Sequence, residues 1–295
     1  MSTLRTEERI KLGAALRQHR LRSNRTQLEV ARLLDCAESK VSKIEEGIAK
    51  LNASELSDLL RFLQVSEKTS ASILILGAQA ARKLRRKPSE YKSYEGALSN
   101  DFLRRANLEV GADTICTYSP GVIPGLLQSP TYVHAVIKAG DGVFWEKSDA
   151  EVEHRVKFRR DRQRAVLADE CKQLQFVFTS DTLEASALYV SVLREQLKHL
   201  LGLLDSHPNL TIQLVHPMGG LDNPISSGGL TVLDFESIEL RIAFAHVIYG
   251  PAVYLDSDME TAGLTSAFNA VRELALSPED SAKYIRRKLE ALNGA

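Results

Sequence analysis

The chain has 295 residues, of which 44% are hydrophobic and 26% charged, as in ordinary soluble globular proteins, and its length suggests about two domains. No apolar run reaches the roughly 20 residues that cross a bilayer, and the N-terminus lacks the apolar core of a signal peptide. Three widely spaced cysteines exclude a disulfide framework and a cysteine-based zinc site, so the sequence predicts a cytoplasmic protein.

Charge is divided unevenly along the chain, although the formal net charge is zero. Residues 1–88 contain 18 Lys and Arg against 10 Asp and Glu, a net charge of +8. Residues 89–295 contain 20 Lys and Arg against 28 Asp and Glu, a net charge of −8. A basic first third joined to an acidic remainder is typical of an N-terminal nucleic-acid-binding domain followed by a separate body.

The first 88 residues predict five helices and no strand. Thr26 and Asn52 each precede a glutamate by three residues, which is the spacing of a capping box at a helix start. Gly47 suits the left-handed position after a helix, and Pro88 disfavours helix at the residue before it. The predicted helices span about 7–22, from 26 to the mid-thirties, 38–46, from 52 through the leucines up to 63, and 66–87.

After Pro88 the pattern alternates between strand-like and helical runs, which predicts a mixed α/β domain. The predicted strands are Thr114–Tyr118, Leu174–Thr179, Leu210–His216, Leu230–Phe235, Leu240–Ile248 and Ala252–Leu255. The predicted helices are Tyr94–Val110, Pro130–Lys138, Ala150–Ala168, Val190–Ser206, Glu260–Leu274 and Pro278–Leu292.

Two short helices joined by the turn Asp35-Cys36-Ala37 form a helix-turn-helix arrangement, in which the second helix enters the major groove of DNA. The order Leu16-Arg17…Arg20…Thr26-Gln27…Val30-Ala31…Leu34-Asp35-Cys36…Val41-Ser42-Lys43-Ile44-Glu45-Glu46-Gly47 closely resembles the Xre/Cro-type (lambda-repressor-like) DNA-binding domain, over about residues 10–65. Two positions depart from that family. Asp35 stands where the family has a turn glycine, and Ala37 replaces a Ser/Thr cap worth about 1 kcal/mol.

The resemblance implies which side chains face DNA. Gln27, next to Thr26 at the start of the second helix, would contact phosphate, and Lys50 would do so from the loop after the third helix. Lys40 and Lys43 are the predicted base readers, because lysine binds guanine O6 and N7. The alternative for this whole surface is a solvated charged helix face. The candidate DNA contacts are Thr26, Gln27, Glu38, Ser39, Lys40, Ser42, Lys43 and Lys50, with Glu38 either accepting from cytosine N4 or repelling phosphate.

A second resemblance covers about residues 95–292. It is carried by the string Thr117–Tyr132, the Arg159-Arg160 and Leu193–Leu200 segments, and later runs at 212–219, 229–235 and 275–281. In this order they are similar to the C-terminal domain of antitoxin-like Xre-family regulators of actinomycetes. The resemblance implies a DNA-binding regulator that is often encoded beside a small partner protein that binds it. Arg20 and Glu45 match the internal ion pair of the N-terminal family and are expected to be structural.

Two features of the C-terminal half leave alternatives open. A Pro-Gly-Leu-Leu-Gln corner is either a core-packing turn or a partner- or ligand-binding corner. The segment Arg155–Arg164 holds six basic residues in ten, and it is either a solvated helix face, an intramolecular partner for the acidic body, or a second phosphate contact. The candidate corner residues are Tyr118, Pro124, Gly125, Leu126, Leu127, Gln128 and Tyr132.

Enzyme motifs are missing from the sequence. The seven histidines include no i, i+4 pair, and there is no nucleophile elbow, P-loop or dinucleotide-binding glycine motif. We therefore expect no catalytic activity, no metal and no cofactor.

Together these patterns predict a multidomain protein, with an all-α helix-turn-helix N-terminal domain and a mixed α/β (α+β) C-terminal domain. The expected divisions are 1–65 for DNA binding, 66–94 for a helix and basic linker, and 95–295 for regulation, dimerisation or partner binding. The predicted function is a transcriptional regulator that binds double-stranded operator DNA as a homodimer and a small partner protein or ligand through its C-terminal domain. The alternative is an interaction module that sequesters a small partner protein. We place the dimer contact within residues 66–295, because the run Ile73–Leu76 is apolar on more than one helix face.

Overall fold

The computed structural model describes residues 7–81, 94, 98, 100–145, 147–184, 189–217, 222–225, 228–247 and 252–294. They fall into two compact units. The first lies within residues 1–89, 234–242 and 256–261, and the second within 90–233, 243–255 and 262–295. The predicted fold class, an all-helical N-terminal region followed by a mixed α/β domain, is confirmed.

Five helices form the N-terminal region, and residues 7–81 contain no strand. Both predicted capping boxes form: the Thr26 hydroxyl accepts from the backbone N–H of Glu29 at 3.2 Å, and the Asn52 side chain accepts from that of Glu55 at 2.8 Å. The predicted end of the fifth helix at Lys87 lies outside the described residues. The helices are α1 (Glu7–Arg22), α2 (Gln27–Leu33), α3 (Glu38–Glu45), α4 (Ala53–Phe62) and α5 (Glu67–Ala81).

The helices of the first unit pack closely. A Cβ at Gly13 would lie only 2.6 Å from the carbonyl oxygen of Ile44, so α1 and α3 approach each other where only glycine fits. Helix α5 packs against α1 and α4, with Ile73 and Leu76 buried. The helix that the sequence places in a separate 66–94 segment therefore contributes to the core of the first unit, while Ile75 is 63% exposed.

Residues from the C-terminal half complete the first unit. The fully buried Gln18 donates its side-chain amide to the carbonyl oxygens of Arg241 at 2.7 Å and Asp256 at 2.6 Å. One turn along α1, Arg22 donates to both carboxylate oxygens of Asp258, at 2.8 and 2.9 Å. Nothing in the sequence pattern signalled that α1 would hold these segments, which follow it by more than 200 residues.

A six-stranded mixed sheet organises the C-terminal half, in the order β3-β2-β1-β4-β5-β6. Strands β1, β2 and β3 are parallel, with Ile115 opposite Leu174 and Leu174 opposite Leu210, whereas β5 and β6 are antiparallel. The strands are β1 (Thr114–Ser119), β2 (Gln173–Thr179), β3 (Leu210–Val215), β4 (Leu230–Phe235), β5 (Leu240–Ala245) and β6 (Val253–Leu255).

Both faces of the sheet are buried. Tyr118, Val177 and Val232 share one face and pack against Phe268 and Val271. Alternate residues point to the opposite face, and these are also buried, as a sheet covered by helices on both sides requires. The helices are α6 (Asn100–Gly111), α7 (Pro130–Gly140), α8 (Asp149–Leu167), α9 (Val190–Ser206), α10 (Asp258–Leu274) and α11 (Pro278–Gly294).

Two predicted boundaries in this half are wrong. The helix expected from Tyr94 begins at Asn100, because Tyr94 is a buried packing residue whose hydroxyl donates to Asp161 at 2.5 Å. The strand expected to reach Ile248 ends at Ala245, and Ile248 lies outside the described residues. Across the described helices, none has the length and apolarity that crossing a membrane requires.

Candidate nucleic-acid interface

Helix α3 has one buried face and one exposed face. Val41, Ile44 and Glu45 are buried at helical spacing, and they attach α3 to the rest of the first unit. Glu38 and Ser39, in the first turn, are exposed, as is Lys43 in the last. An anchored helix with an exposed polar face is the arrangement that inserts into the major groove in helix-turn-helix proteins.

A buried ion pair joins α1 to α3. Arg20 donates from Nε to Glu45 Oε1 at 2.5 Å and from Nη2 to Glu45 Oε2 at 3.0 Å. The two side chains are 9% and 6% exposed. Gln27 also donates to Glu45, through Nε2 at 2.8 Å, so its amide group is held inside the domain. The phosphate contact expected of Gln27 stays a prediction, made by a side chain that is already hydrogen-bonded to Glu45.

The two lysines predicted to read bases have different surroundings. Lys40 Nζ lies 3.5 Å from Glu55 Oε1, so Lys40 pairs with the first turn of α4. Lys43 is exposed and forms no ion pair with any described residue. Lys43 is therefore the more accessible of the two lysines, and its contact with a base stays a prediction. Ser42 donates to Glu46 at 3.1 Å.

The remaining candidates lie at the ends of these helices. Thr26 is exposed at the N-cap of α2, where its backbone N–H donates to Glu29 at 2.8 Å. This bond and one from Arg25 lower the pKa of Glu29, which keeps its carboxylate ionised as part of the cap. Lys50 is exposed after Gly47, whose φ of +73° is the left-handed conformation expected there. Asp35 has φ of +46°, so it occupies the turn position in which the resembled family has glycine.

The Pro-Gly-Leu-Leu-Gln corner is anchored in the second unit. Leu127 and Gln128 are buried, and the carbonyl oxygen of Leu127 accepts from Gln196 at 2.7 Å. Gln163 donates to the carbonyl oxygens of both Gly125 and Gln128, each at 2.8 Å. Leu126 and Tyr118 are buried as well, Pro124 is buried beside them, and burial raises the pKa of the partly exposed Tyr132. These contacts support the packing interpretation for the leucines, while Gly125 remains at the edge of the corner.

The basic segment of α8 divides into two faces. Arg159 and Arg162 turn toward other parts of the second unit, where they donate to Gln128 and Glu109, whereas Arg155 pairs with Glu151 of its own helix at 2.7 Å. Lys157 and Arg160 are exposed on the opposite face. The segment thus has arginines that bond within the second unit and basic residues that face solvent, and a phosphate contact by it stays a prediction.

The inward arginines belong to a polar cluster that the sequence did not reveal. Glu109, 1% exposed, accepts from Arg162 Nε at 2.5 Å and from Arg105 Nε at 3.0 Å. Arg105 also donates to the Thr231 hydroxyl at 2.9 Å. The oxygen of that hydroxyl lies 3.0 Å from His246 Nε2. In the sequence, the only sign of this cluster was the i, i+4 spacing of Arg105 and Glu109. Its other members are distant in the chain, and Arg105 and His246 are 141 residues apart.

Comparison with family models identifies both halves of the chain. Residues 11–72 match a helix-turn-helix domain, and residues 102–287 match the family described as a domain of unknown function (DUF5753). No curated protein and no solved structure matches the chain. The residues that the structure describes contain no group of three His, Cys, Asp or Glu side chains that could hold a metal ion.

Proposed function

The chain belongs to the DUF5753 family and carries an N-terminal helix-turn-helix domain, and from this premise we propose that it is a non-enzymatic, sequence-specific transcriptional regulator of the Xre/Cro type. The observation that carries the proposal is the exposed outer face of α3, with Lys43 unpaired among the described residues above a buried inner face. The net charge of +8 over residues 1–88 favours the same ligand, since phosphate contacts supply most nonspecific DNA affinity.

We further propose that the protein binds its operator as a homodimer. A single helix-turn-helix domain makes few base contacts, and specific affinity usually comes from two half-sites about one helical turn, roughly 34–36 Å, apart. Because Ile73 and Leu76 are buried within the first unit, the dimer contact is expected on other surfaces of residues 66–295. In an antitoxin-like regulator, the C-terminal domain would bind the small partner protein or ligand that controls operator binding.

The proposal is tested by selecting duplexes from a randomised library with the full-length protein. Binding of a selected duplex is then measured by fluorescence anisotropy at physiological salt, with a scrambled duplex as competitor. We expect a preference of about 10³ or more for the selected sequence, with two half-sites in it. Light scattering of the free protein is expected to give the mass of a dimer.

A matched pair of variants separates base recognition from charge. Lys43→Ala removes the exposed lysine of α3, whereas Lys68→Ala removes an exposed lysine of α5 that is outside the helix-turn-helix pair. Only Lys43→Ala is expected to reduce the preference for the selected duplex. Equal binding of selected and scrambled DNA by the native protein would overturn the regulator proposal and favour the interaction module.

A further inference from the structure

Two buried polar side chains of α1 have their partners more than 200 residues further along the chain. Gln18, fully buried, donates from Nε2 to the carbonyl oxygens of Arg241 at 2.7 Å and Asp256 at 2.6 Å. Its Oε1 accepts from the backbone N–H of Arg241 at 3.3 Å. His19, also buried, donates from Nε2 to the carbonyl oxygen of Ile238 at 3.2 Å. Polar side chains are buried where such partners replace the water that they lose, so these late segments fit α1 specifically.

Arg22, one turn after Gln18, attaches two of these late segments to the same helix. Its Nη1 donates to the carbonyl oxygen of Glu239 at 3.0 Å, while Nε and Nη2 donate to the two carboxylate oxygens of Asp258 at 2.8 and 2.9 Å. Such a bidentate pair fixes direction as well as charge. The side chains of Arg22 and Asp258 are 37% and 39% exposed, so water replaces this link more easily than the buried bonds of Gln18.

The turn between β4 and β5 contacts α5 as well as α1. Thr69, buried in α5, donates to Glu239 Oε1 at 2.5 Å, and the adjacent Ile238 is buried too. Glu239 has φ of +51°, a left-handed conformation that a non-glycine residue keeps only where its surroundings hold it. Its carboxylate binds α5 and its carbonyl oxygen binds α1, so this one residue connects two helices of the first unit.

By sequence, the segments that hold α1 belong to the other domain. Residues 234–242 and 256–261 lie within the region 102–287 that matches the domain of unknown function, although they are grouped with the helices of the first unit. Strands β4 and β5 and helix α10 each begin or end in these segments, and their remaining residues belong to the second unit. A change in any of these three elements therefore reaches α1 through continuous backbone.

We propose that residues 234–242 and 256–261 form a clasp on α1 and α5, and that the C-terminal domain regulates DNA binding by closing or opening this clasp. Arg20, which holds Glu45 of α3, lies on α1 between the residues that the clasp contacts. Opening the clasp loosens the helix to which α3 is attached, and with it the face that contacts DNA. This inference rests on the proposed function, since it names how the binding of DNA by the helix-turn-helix domain is controlled.

Hydrogen exchange of the full-length protein, followed by mass spectrometry, tests the clasp with and without the selected duplex. Amides of a segment that opens locally exchange at a rate set by the fraction of open molecules. If DNA binds only the closed clasp, duplex at ten times its dissociation constant lowers that fraction about tenfold. We therefore expect exchange in residues 234–242 and 256–261 and in α1 to slow about tenfold, together with α2 and α3. Helix α9 of the second unit should keep its rate.

Three variants locate the device. Asp258→Asn breaks the bidentate pair but keeps the shape of the side chain. Without DNA, it is expected to speed exchange in residues 234–242 and in α1 by the same factor, about threefold, because both belong to one opening. The matched control Glu260→Gln removes the same charge from a carboxylate that accepts from Ser257 in its own turn, and it should leave both rates unchanged.

The double variant Gln18→Leu/Asp258→Asn also removes the three hydrogen bonds between Gln18 and the clasp, and so populates the open state. It is expected to bind the selected duplex about tenfold or more weakly, although the loss of a negative charge would by itself strengthen binding to DNA. Native exchange rates in α9 would show that its second unit is folded.

Four outcomes would overturn the clasp. They are slower exchange in α2 and α3 on DNA binding with an unchanged rate in residues 234–242, faster exchange in Asp258→Asn that does not extend to α1, equal acceleration in Glu260→Gln, and native duplex affinity in the double variant. The regulator proposal survives each of them, because the protein still selects a duplex. If no duplex is selected, the regulator proposal fails and the control of DNA binding fails with it, whereas the exchange of Asp258→Asn without DNA still decides whether α1 and the clasp open together.

Discussion

Replacing Glu45 with methionine should expose how far the helix-turn-helix domain depends on the pair between α1 and α3. Glu45 accepts three hydrogen bonds, two from Arg20 and one from Gln27, at 2.5, 3.0 and 2.8 Å. In Glu45→Met the guanidinium of Arg20 keeps one bond, from Nη1 to the carbonyl oxygen of Arg25 at 2.9 Å. It otherwise remains as a charge in a site where its side chain is only 9% exposed.

The expected loss follows from these contacts. Three hydrogen bonds to a charged group, at about 1.5–3 kcal/mol each, set an upper bound of roughly 4.5–9 kcal/mol. The bond that Arg20 retains and the access of water to its edge reduce the loss toward about 3–5 kcal/mol, the usual effect of breaking a buried pair. Arg20→Met should cost a similar amount, and the double variant Arg20→Met/Glu45→Met should recover most of the loss because no unpaired charge is left.

Urea unfolding of the full-length variants measures these differences. Far-ultraviolet circular dichroism follows the helices, while fluorescence of Trp145, the single tryptophan, follows the second unit separately. The matched control is Arg61→Met, which removes an arginine 3.3 Å from Asp58 with side chains 78% and 52% exposed. Its effect should stay within about 1 kcal/mol, as for surface pairs.

The reasoning would be refuted by additive losses in the double variant, since two residues that act as a pair cannot lose their interaction twice. Losses below about 1 kcal/mol in both single variants would equally show that water compensates the pair as it does at the surface. A change in the urea midpoint that appears only in the fluorescence of Trp145 would place the loss of stability in the second unit instead of the first.

Three further predictions concern other parts of the molecule. Lys43→Ala should cost about 1–3 kcal/mol in binding of the selected operator and relax discrimination at one base pair; equal losses on selected and scrambled duplexes would instead make Lys43 a phosphate contact. Ala37→Ser should add the missing side-chain cap of α3 and raise the urea midpoint by the equivalent of about 0.5–2 kcal/mol, and an unchanged midpoint would contradict this. The pKa of His246 is lowered from 6.5 to about 3, so between pH 3 and pH 6.5 this histidine is protonated in the unfolded chain and neutral in the folded chain. Its contribution is complete above pH 6.5 and is lost as the pH falls toward 3, so His246→Gln should lose less stability on acidification than the native protein; an identical pH dependence would argue against this.

Much of the local structure was predictable because its causes lie within a few residues. The capping spacings at Thr26 and Asn52 predicted the starts of α2 and α4, and strand-like runs predicted all six strands, one of them with a wrong end. Tyr94 was misassigned because an aromatic residue beside helical residues has the same local pattern whether it begins a helix or packs against one. Its contact with Asp161, 67 residues away, decides between the two.

The candidate site was predictable in part. The outer face of α3 followed from helical periodicity, but the difference between Lys43 and Lys40 did not, because Glu55 that pairs with Lys40 belongs to another helix. For the segment Arg155–Arg164, too, the sequence could not reveal the partners of the basic side chains. Composition revealed its charge, whereas Glu109 and Gln128, which face two of its arginines, come from distant parts of the chain.

The helix-turn-helix, the order of helices and strands, and the charge contrast between the first third of the chain and the rest were all predictable from the residues, since each depends on short-range periodicity or composition. Long-range contacts, by contrast, place the Gln18 amide against residues 241 and 256 and the carboxylate of Glu109 between Arg105 and Arg162. Such contacts join residues whose separation leaves no periodic trace. Only the folded chain brings their charges and hydrogen-bonding groups within the few ångströms over which they act.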